Sequence, residues 1–259
     1  MEFSVYSQNG EDGILDFLIE VLDLSSYPKA FIEFGVQNYK ESNTRFLLKN
    51  RNYQGLIIDA SKENIDFVKR DEIYWKYDLE AKCAFITAEN IDMIIKDYLS
   101  SRNLSNVAIL SIDIDGVDYF IWESIKCITP CIVIIEYNAL FGSDREISVP
   151  YRADFNRFKE HFSGLYFGAS IKAIIQLGKS KNYEFIGADS SGTNLFFIHQ
   201  SLKIKGIKTY PLKEYCTRHN ARQSRDEYGN LNFKSGDERT KALEGLLVYN
   251  TSLNKSEIL

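Results

Sequence analysis

The chain has 259 residues, 44% hydrophobic and 26% charged, the balance of an ordinary globular protein and not of a largely disordered one. Its 15 glycines and 4 prolines follow no period, which excludes a collagen-like fibre. With 31 Lys and Arg against 36 Asp and Glu the formal charge is −5, so the basic footprint of a general nucleic-acid binder is missing. In chain order, residues 11–22 place Ile14, Leu15, Leu18, Ile19 and Leu22 at helical spacing. Residues 30–36 (AFIEFGV) and 55–60 (GLIIDA) are short apolar runs that predict strands buried on both faces. Between them, Ser42-Asn43-Thr44 predicts the cap of a helix through Phe46, Leu47 and Leu48. Residues 72–77 (EIYWKY) read as a weaker third strand, and 88–99 as a helix with Ile91, Ile94, Ile95, Tyr98 and Leu99 on one face. Residues 107–114 (VAILSIDI) and 131–137 (CIVIIEY) predict strands four and five, with a helix over 119–125 between them. A helix over 170–178 follows, then strands over 183–187 and 195–199 joined by a tight polar turn, the pattern of an antiparallel hairpin.

Alternating buried strands and helices imply a parallel sheet covered on both faces. One domain is expected over 1–202, with a substrate insertion at about 142–166. A polar, basic extension over 203–259 is expected to pack on the same domain. No apolar stretch approaches the roughly 20 residues that span a bilayer, and the start lacks the pattern of a secretory signal. Cys83, Cys127, Cys131 and Cys216 lack zinc-site spacing and read as reduced thiols, which points to the cytoplasm.

Ligands of an open parallel α/β sheet sit beyond the carboxyl ends of its strands. The polar residues placed there are Glu33 and Gly35 after strand one, Asp59 after two, Asp78 after three, Asp113 and Asp115 after four, and Glu136 with Asn138 after five. Five strand ends carrying a carboxylate argue for a site, because crowded carboxylates need a cation or hydrogen-bond donors. Asp59 suits a ribose acceptor in the manner of nucleotide-binding sheets, or alternatively caps the helix that begins in DASKEN. The turn FGVQN after strand one lacks the G-x-G-x-x-G spacing of a pyrophosphate loop. That counts against NAD and ATP and leaves room for a nucleoside cofactor without phosphates.

The stretches YSQNGEDGIL, FIEFGV with ESNTRFLL, TAENID and SIDIDGVDYFIWESI resemble FkbM-type and related S-adenosylmethionine-dependent sugar O-methyltransferases of bacterial capsule and surface-polysaccharide clusters. VIIEYNALFG, VPY, YFGASIKAIIQL and YEFIGADSSGTNLFFIH resemble the second half of the same group, so the likeness spans roughly residues 5–200. Such sequences often carry IDVEG where this chain has Asp115 in place of the Glu. The resemblance implies an α/β fold: a Rossmann-like seven-stranded methyltransferase sheet, with a parallel core, an antiparallel last strand and helices on both faces. It implies methyl transfer from S-adenosylmethionine to a hydroxyl of a sugar or nucleotide-linked sugar. Glu33, Gly35, Asp59 and Asp78 match cofactor-binding positions, with Gln8, Ser42, Asn43 and Asp113 expected around the same pocket. A non-catalytic nucleoside- or partner-binding module, or another nucleotide-sugar-modifying enzyme on this sheet, is the competing expectation. A homo-oligomer is left open.

A hydroxyl transfers poorly until its proton is removed by a base or acidified by a metal. Asp113, Glu136 and Asn138 form an all-oxygen set suited to Mg²⁺ or Mn²⁺. Without a metal, Glu136 is expected to pair with an arginine, and Asp115 or His161 is the candidate base. Lys203, Lys205, Lys208, Lys213, Arg218, Arg222 and Arg225 form a local basic excess, read either as solvated surface or as a diphosphate subsite built on Arg218 and Arg222.

Overall fold

A computed structural model of the chain describes residues 2–202, 204, 210–217, 219 and 221–259. The elements run α1 (Glu11–Val21), β1 (Ala30–Phe34), α2 (Arg45–Asn50), β2 (Gln54–Asp59), α3 (Lys62–Arg70), α4 (Glu72–Lys76), β3 (Leu79–Cys83), α5 (Ile91–Ser101), β4 (Ile109–Ile112), α6 (Asp118–Ser124) and β5 (Ile132–Glu136). Then follow β6 (Ile147–Ser148), α7 (Arg157–Glu160), α8 (Ile171–Ser180), β7 (Tyr183–Ala188), β8 (Asn194–His199), α9 (Leu212–Thr217), α10 (Asp237–Lys241), β9 (Leu247–Asn250) and β10 (Lys255–Ile258).

Among the described residues the main sheet has seven strands in the order β3-β2-β1-β4-β5-β8-β7. The pairs from β3 to β5 are parallel, and β8 runs antiparallel to both β5 and β7. This is the expected seven-stranded methyltransferase layout. Alternate residues of each strand face opposite layers, as a pleat requires. Phe31, Ile57, Ile109 and Ile132 pack with Leu15, Leu18, Leu47 and Ile65 on the α1–α3 side. Ile32, Leu56, Leu110 and Val133 pack with Ile95, Trp122 and Ile174 on the other. Both faces are buried, so these strands read as continuous apolar runs.

One element is displaced from its expected place. Residues 72–76 form α4, capped by Asp71, whose carboxylate accepts the Ile73 N–H at 2.9 Å. Strand three is Leu79–Cys83, so Asp78 precedes it instead of ending it. The polar stretch LEAKC shows half-buried alternation because β3 is an edge strand.

A second, three-stranded sheet, β10-β9-β6, joins residues within the 142–166 insertion to the C-terminal segment. Leu243 and Val248 enter the main core.

The turn after β1 carries the tightest constraint. Gly35 has φ +73°, and a Cβ there would lie 1.6 Å from the Asp113 carbonyl oxygen. Gly35→Ala should therefore destabilise the fold by at least ~2 kcal/mol, combining left-handed strain of about 1 kcal/mol with a backbone clash. A urea midpoint equal to wild type would show that the two turns can part without cost.

Candidate functional site

Two cavities lie at the carboxyl edge of β1, β2, β4 and β5. The first, about 260 Å³, is walled by Gly35, Gln37, Asp59, Phe85, Ile86 and Asp113 among others. The second, about 230 Å³, reaches Gln8, Glu136, Thr193, His219 and Arg239. Gly35, Gln37, Asp113, Asp115, Arg157 and Phe158 line both.

Asp59 is the last residue of β2 and anchors the first cavity. One oxygen accepts the Gln37 N–H at 2.7 Å, and the other accepts the Ser61 N–H at 2.8 Å and the Asn64 amide at 3.1 Å. The cap of α3 is Ser61, whose Oγ accepts the Asn64 N–H. Asp59 is thus a wall residue tied to the capping turn, and the cap itself falls to its neighbour.

The shared wall holds the chemistry. β4 and β5 are parallel neighbours with Ile112 opposite Ile135, so Asp113 and Glu136 leave the sheet side by side. Asp115, at φ +54°, turns its side chain back to them. Oxygens of Asp113, Asp115 and Glu136 all lie within 4.8 Å of one another. Asp118 fixes this turn by accepting the Ile114 N–H at 2.8 Å and the Gly116 N–H at 3.0 Å. Its own carboxyl is pushed up to about 6 by burial, against those bonds. Burial, then the neighbouring carboxylates, hold Asp113 and Glu136 well above the ordinary carboxylate range. Burial raises Asp115 as well, opposed by Arg157. Arg157 pairs with Asp115 and lies over the Phe158 and Phe167 rings, 4.9 and 5.3 Å from their centroids. Glu136 Oε2 is buried with no partner among the described residues.

Several expected site residues stand elsewhere. Glu33 follows Phe31 in pleat parity and faces the α1–α2 layer. Its carboxylate accepts Ser42 Oγ–H at 2.7 Å, the Asn43 N–H at 2.8 Å, the Thr44 N–H at 3.1 Å and the Thr44 hydroxyl. Glu33, Ser42 and Asn43 brace the loop behind the turn and line neither cavity. Asp78 lies at the opposite sheet edge, half-exposed, in an ion pair with Arg102. The carboxyl end of β3 instead delivers Ala84, Phe85 and Ile86 to the first cavity.

Asn138 is engaged elsewhere. Its amide donates to the Leu165 and Phe167 carbonyls, both at 2.9 Å, and its oxygen accepts the Leu140 N–H at 3.0 Å. His161 bonds Ser163 Oγ at 2.7 Å and lines neither cavity, so it is not placed as a base. Glu136 meets carboxylates, whereas the arginine partner goes to Asp115. Arg222 donates to the Phe233 carbonyl at 2.8 Å, outside both cavities. Arg218, Lys203, Lys205 and Lys208 lie outside the described residues. Gln8, Gly35, Asp59, Asp113, Asp115 and Glu136 are brought together.

Four wall residues carried no sequence signal that marked them: Gln37, Arg157, His219 and Arg239. Arg157 sits on a helix of four residues inside the insertion, and Arg239 on one of five near the C-terminus.

No protein-family profile and no curated protein matches the chain. Among solved structures it is similar to the N-terminal domain of EvdMO1 with SAH bound, at TM-score 0.48 and 10% identity over 75% of this chain and 82% of that one. PKMT2 from Rickettsia typhi in complex with AdoHcy gives TM-score 0.47 and 12% identity over 78% and 55%. An S-adenosylmethionine-dependent methyltransferase from Clostridium acetobutylicum gives 0.44 and 9% over 73% and 90%.

The carboxylate cluster has a pH signature. The raised values mean that the folded protein holds protons that the unfolded chain releases. This stabilisation is complete below the unfolded carboxylate range near ~4 and fades as pH rises through the raised values. The Tm of metal-free protein should fall between about pH 5 and pH 8. Mg²⁺ or Mn²⁺ should raise Tm more at the upper pH, and Glu136→Gln should flatten both effects. Thermal scans across pH check this; no added slope in wild type relative to Glu136→Gln contradicts it.

Proposed function

We propose that the chain is an O-methyltransferase that moves the methyl group of S-adenosylmethionine to a hydroxyl of a sugar, a nucleotide-linked sugar of surface-polysaccharide biosynthesis being the acceptor class. The observation that carries this reading is the pair of cavities at the carboxyl edge of a parallel sheet, which share Asp113 and Asp115, with Glu136 beside them in the second. One cavity takes the cofactor and the other the acceptor, and the reacting atoms meet at the wall.

In the first cavity, Asp59 accepts ribose hydroxyls with its remaining lone pairs, on a lining it shares with Gly35. Phe85 and Ile86 supply apolar surface for the base. In the second cavity the acceptor hydroxyl faces the carboxylates. Bound S-adenosylmethionine would supply an electrophilic methyl group there, its sulfonium leaving as a neutral thioether as the acceptor oxygen takes the methyl. The hydroxyl proton passes to a carboxylate of the wall. The products are S-adenosylhomocysteine and a methyl ether.

The donor set fits a divalent cation. Asp113, Asp115 and Glu136 offer only hard oxygens, and the unpartnered Glu136 Oε2 is a free ligand position. These three would hold Mg²⁺ or Mn²⁺, which lowers the pKa of a bound hydroxyl. A metal-free route is favoured by one observation: the Arg157 guanidinium pairs with Asp115 and opposes the rise that burial gives its carboxyl, which sets Asp115 apart from Asp113 and Glu136 as the candidate base.

Calorimetry with S-adenosylhomocysteine tests the cofactor assignment. Wild type should bind, and Asp59→Ala should bind ~1–3 kcal/mol more weakly, the scale of lost hydrogen bonds to a charged group. With labelled S-adenosylmethionine and a panel of nucleotide-linked sugars, turnover should vanish in chelator and return with Mg²⁺ or Mn²⁺. Full turnover in chelator excludes the metal route and leaves Asp115 as the favoured base, and absence of S-adenosylhomocysteine binding overturns the reading.

A further inference from the structure

The lining of the second cavity includes a cation without an ion-pair partner among the described residues. Arg239 lies on α10 and is 6% exposed. Its Nε is buried and has no hydrogen-bond partner among the described residues. No carboxylate of the described residues forms an ion pair with it. Arg157, on the shared wall, differs: its Nε is buried without a partner, but its guanidinium pairs with Asp115. Burying an unpaired guanidinium is strongly unfavourable, so arginines in such places meet an anion when the protein is at work. Burial alone depresses the Arg239 pKa, with no acid acting against it.

Polar neighbours stand with it in the same lining. His219 has its Nδ1 on the Gly192 carbonyl at 3.1 Å, and this contact turns the imidazole on the cavity wall. Gly192, at φ +74°, lets the C-terminal segment pack there, because a Cβ would lie 2.9 Å from the His219 nitrogen. Gln8 and Gln223 add neutral amides to the same wall. The cavity lining therefore carries Arg239 without an acid partner in addition to the carboxylates and the Arg157 that pairs with Asp115.

We propose that Arg239 is the receptor for an oxyanion, a phosphate or carboxylate group of the acceptor, which seats the acceptor with its hydroxyl toward Asp113, Asp115 and Glu136. This rests on the reading of the second cavity as the acceptor site. It names a substrate class: a hydroxyl compound with a negative group at a fixed distance from the methylated oxygen. The guanidinium fork matches the paired oxygens of either group. Arg239 is a binding residue and takes no part in proton transfer.

The test uses the full chain at constant ionic strength, with inorganic phosphate and acetate as separate probes and chloride as the reference. Calorimetry should show saturable binding of at least one probe by wild type. Phosphate alone marks a phosphate subsite, and acetate binding as well marks a carboxylate-tolerant one. Arg239→Gln should weaken that binding tenfold or more, while S-adenosylhomocysteine affinity is unchanged. Arg239→Met should raise Tm in probe-free buffer, since it removes an uncompensated buried charge, and should abolish the rise in Tm that the probe gives wild type. Equal anion affinity in wild type and Arg239→Gln overturns the proposal. So does misfolding of both variants, which would assign the guanidinium to the fold. Failure of S-adenosylhomocysteine to bind wild type overturns the cofactor reading instead and leaves the anion result standing.

Discussion

Two backbone turns meet at Gly35 and Asp113 with no space for a single methyl group between them. The contact clamps the end of β1 to the end of β4, and several features descend from it. Gln37 is carried to where its N–H meets Asp59 on the far side of β1. The Asp113 carbonyl is spent against bare backbone, while its side chain remains on the wall that both cavities use. Behind the turn, Glu33 gathers four donors from Ser42, Asn43 and Thr44 and keeps the loop from collapsing into the opening. The geometry of the site is therefore set by the backbone first and by the side chains second.

The sheet was largely legible because burial on both faces leaves a one-dimensional mark. Five apolar runs between helical patterns imply the parallel core, and the hairpin signal implies the reversed β8. Strand three escaped because LEAKC is an edge strand with alternating exposure, and EIYWKY next to it is the more apolar stretch. That slip moved Asp78 to the wrong end of the sheet. Glu33 could have been placed by parity alone, since it shares a pleat face with Phe31, toward the helices. Strand-end carboxylates that do meet, Asp113 and Glu136, follow from neighbouring parallel strands in register. Asn138 lies two residues farther on, where the chain has left the strand and the amide is needed by the Leu165 and Phe167 carbonyls.

Arginines of the second cavity were beyond sequence reasoning for a different reason. Arg157 and Arg239 are separated from the strand ends by long stretches of chain and sit on helices too short to show periodicity. Their positions depend on tertiary pairing, β6 with β9, which stitches the insertion to the C-terminal segment. Of the basic residues with a visible cluster pattern, Arg222 holds the Phe233 carbonyl and lines neither cavity. Charge density along a chain marks surface, whereas a single buried charge is marked only by what surrounds it.

Asp115 and Arg157 belong to both cavities, so neither compartment can be filled without touching the other's lining. An occupant that draws on the Arg157 guanidinium relaxes its grip on Asp115, and an occupant that engages Asp115 releases the guanidinium in turn. Thermodynamic linkage makes this influence mutual: whatever factor the first guest imposes on the affinity of the second, the second returns to the first. The partition between the two chambers is in this sense a hinge of affinity, and the free energy of seating two guests is set by one ion pair that they must share.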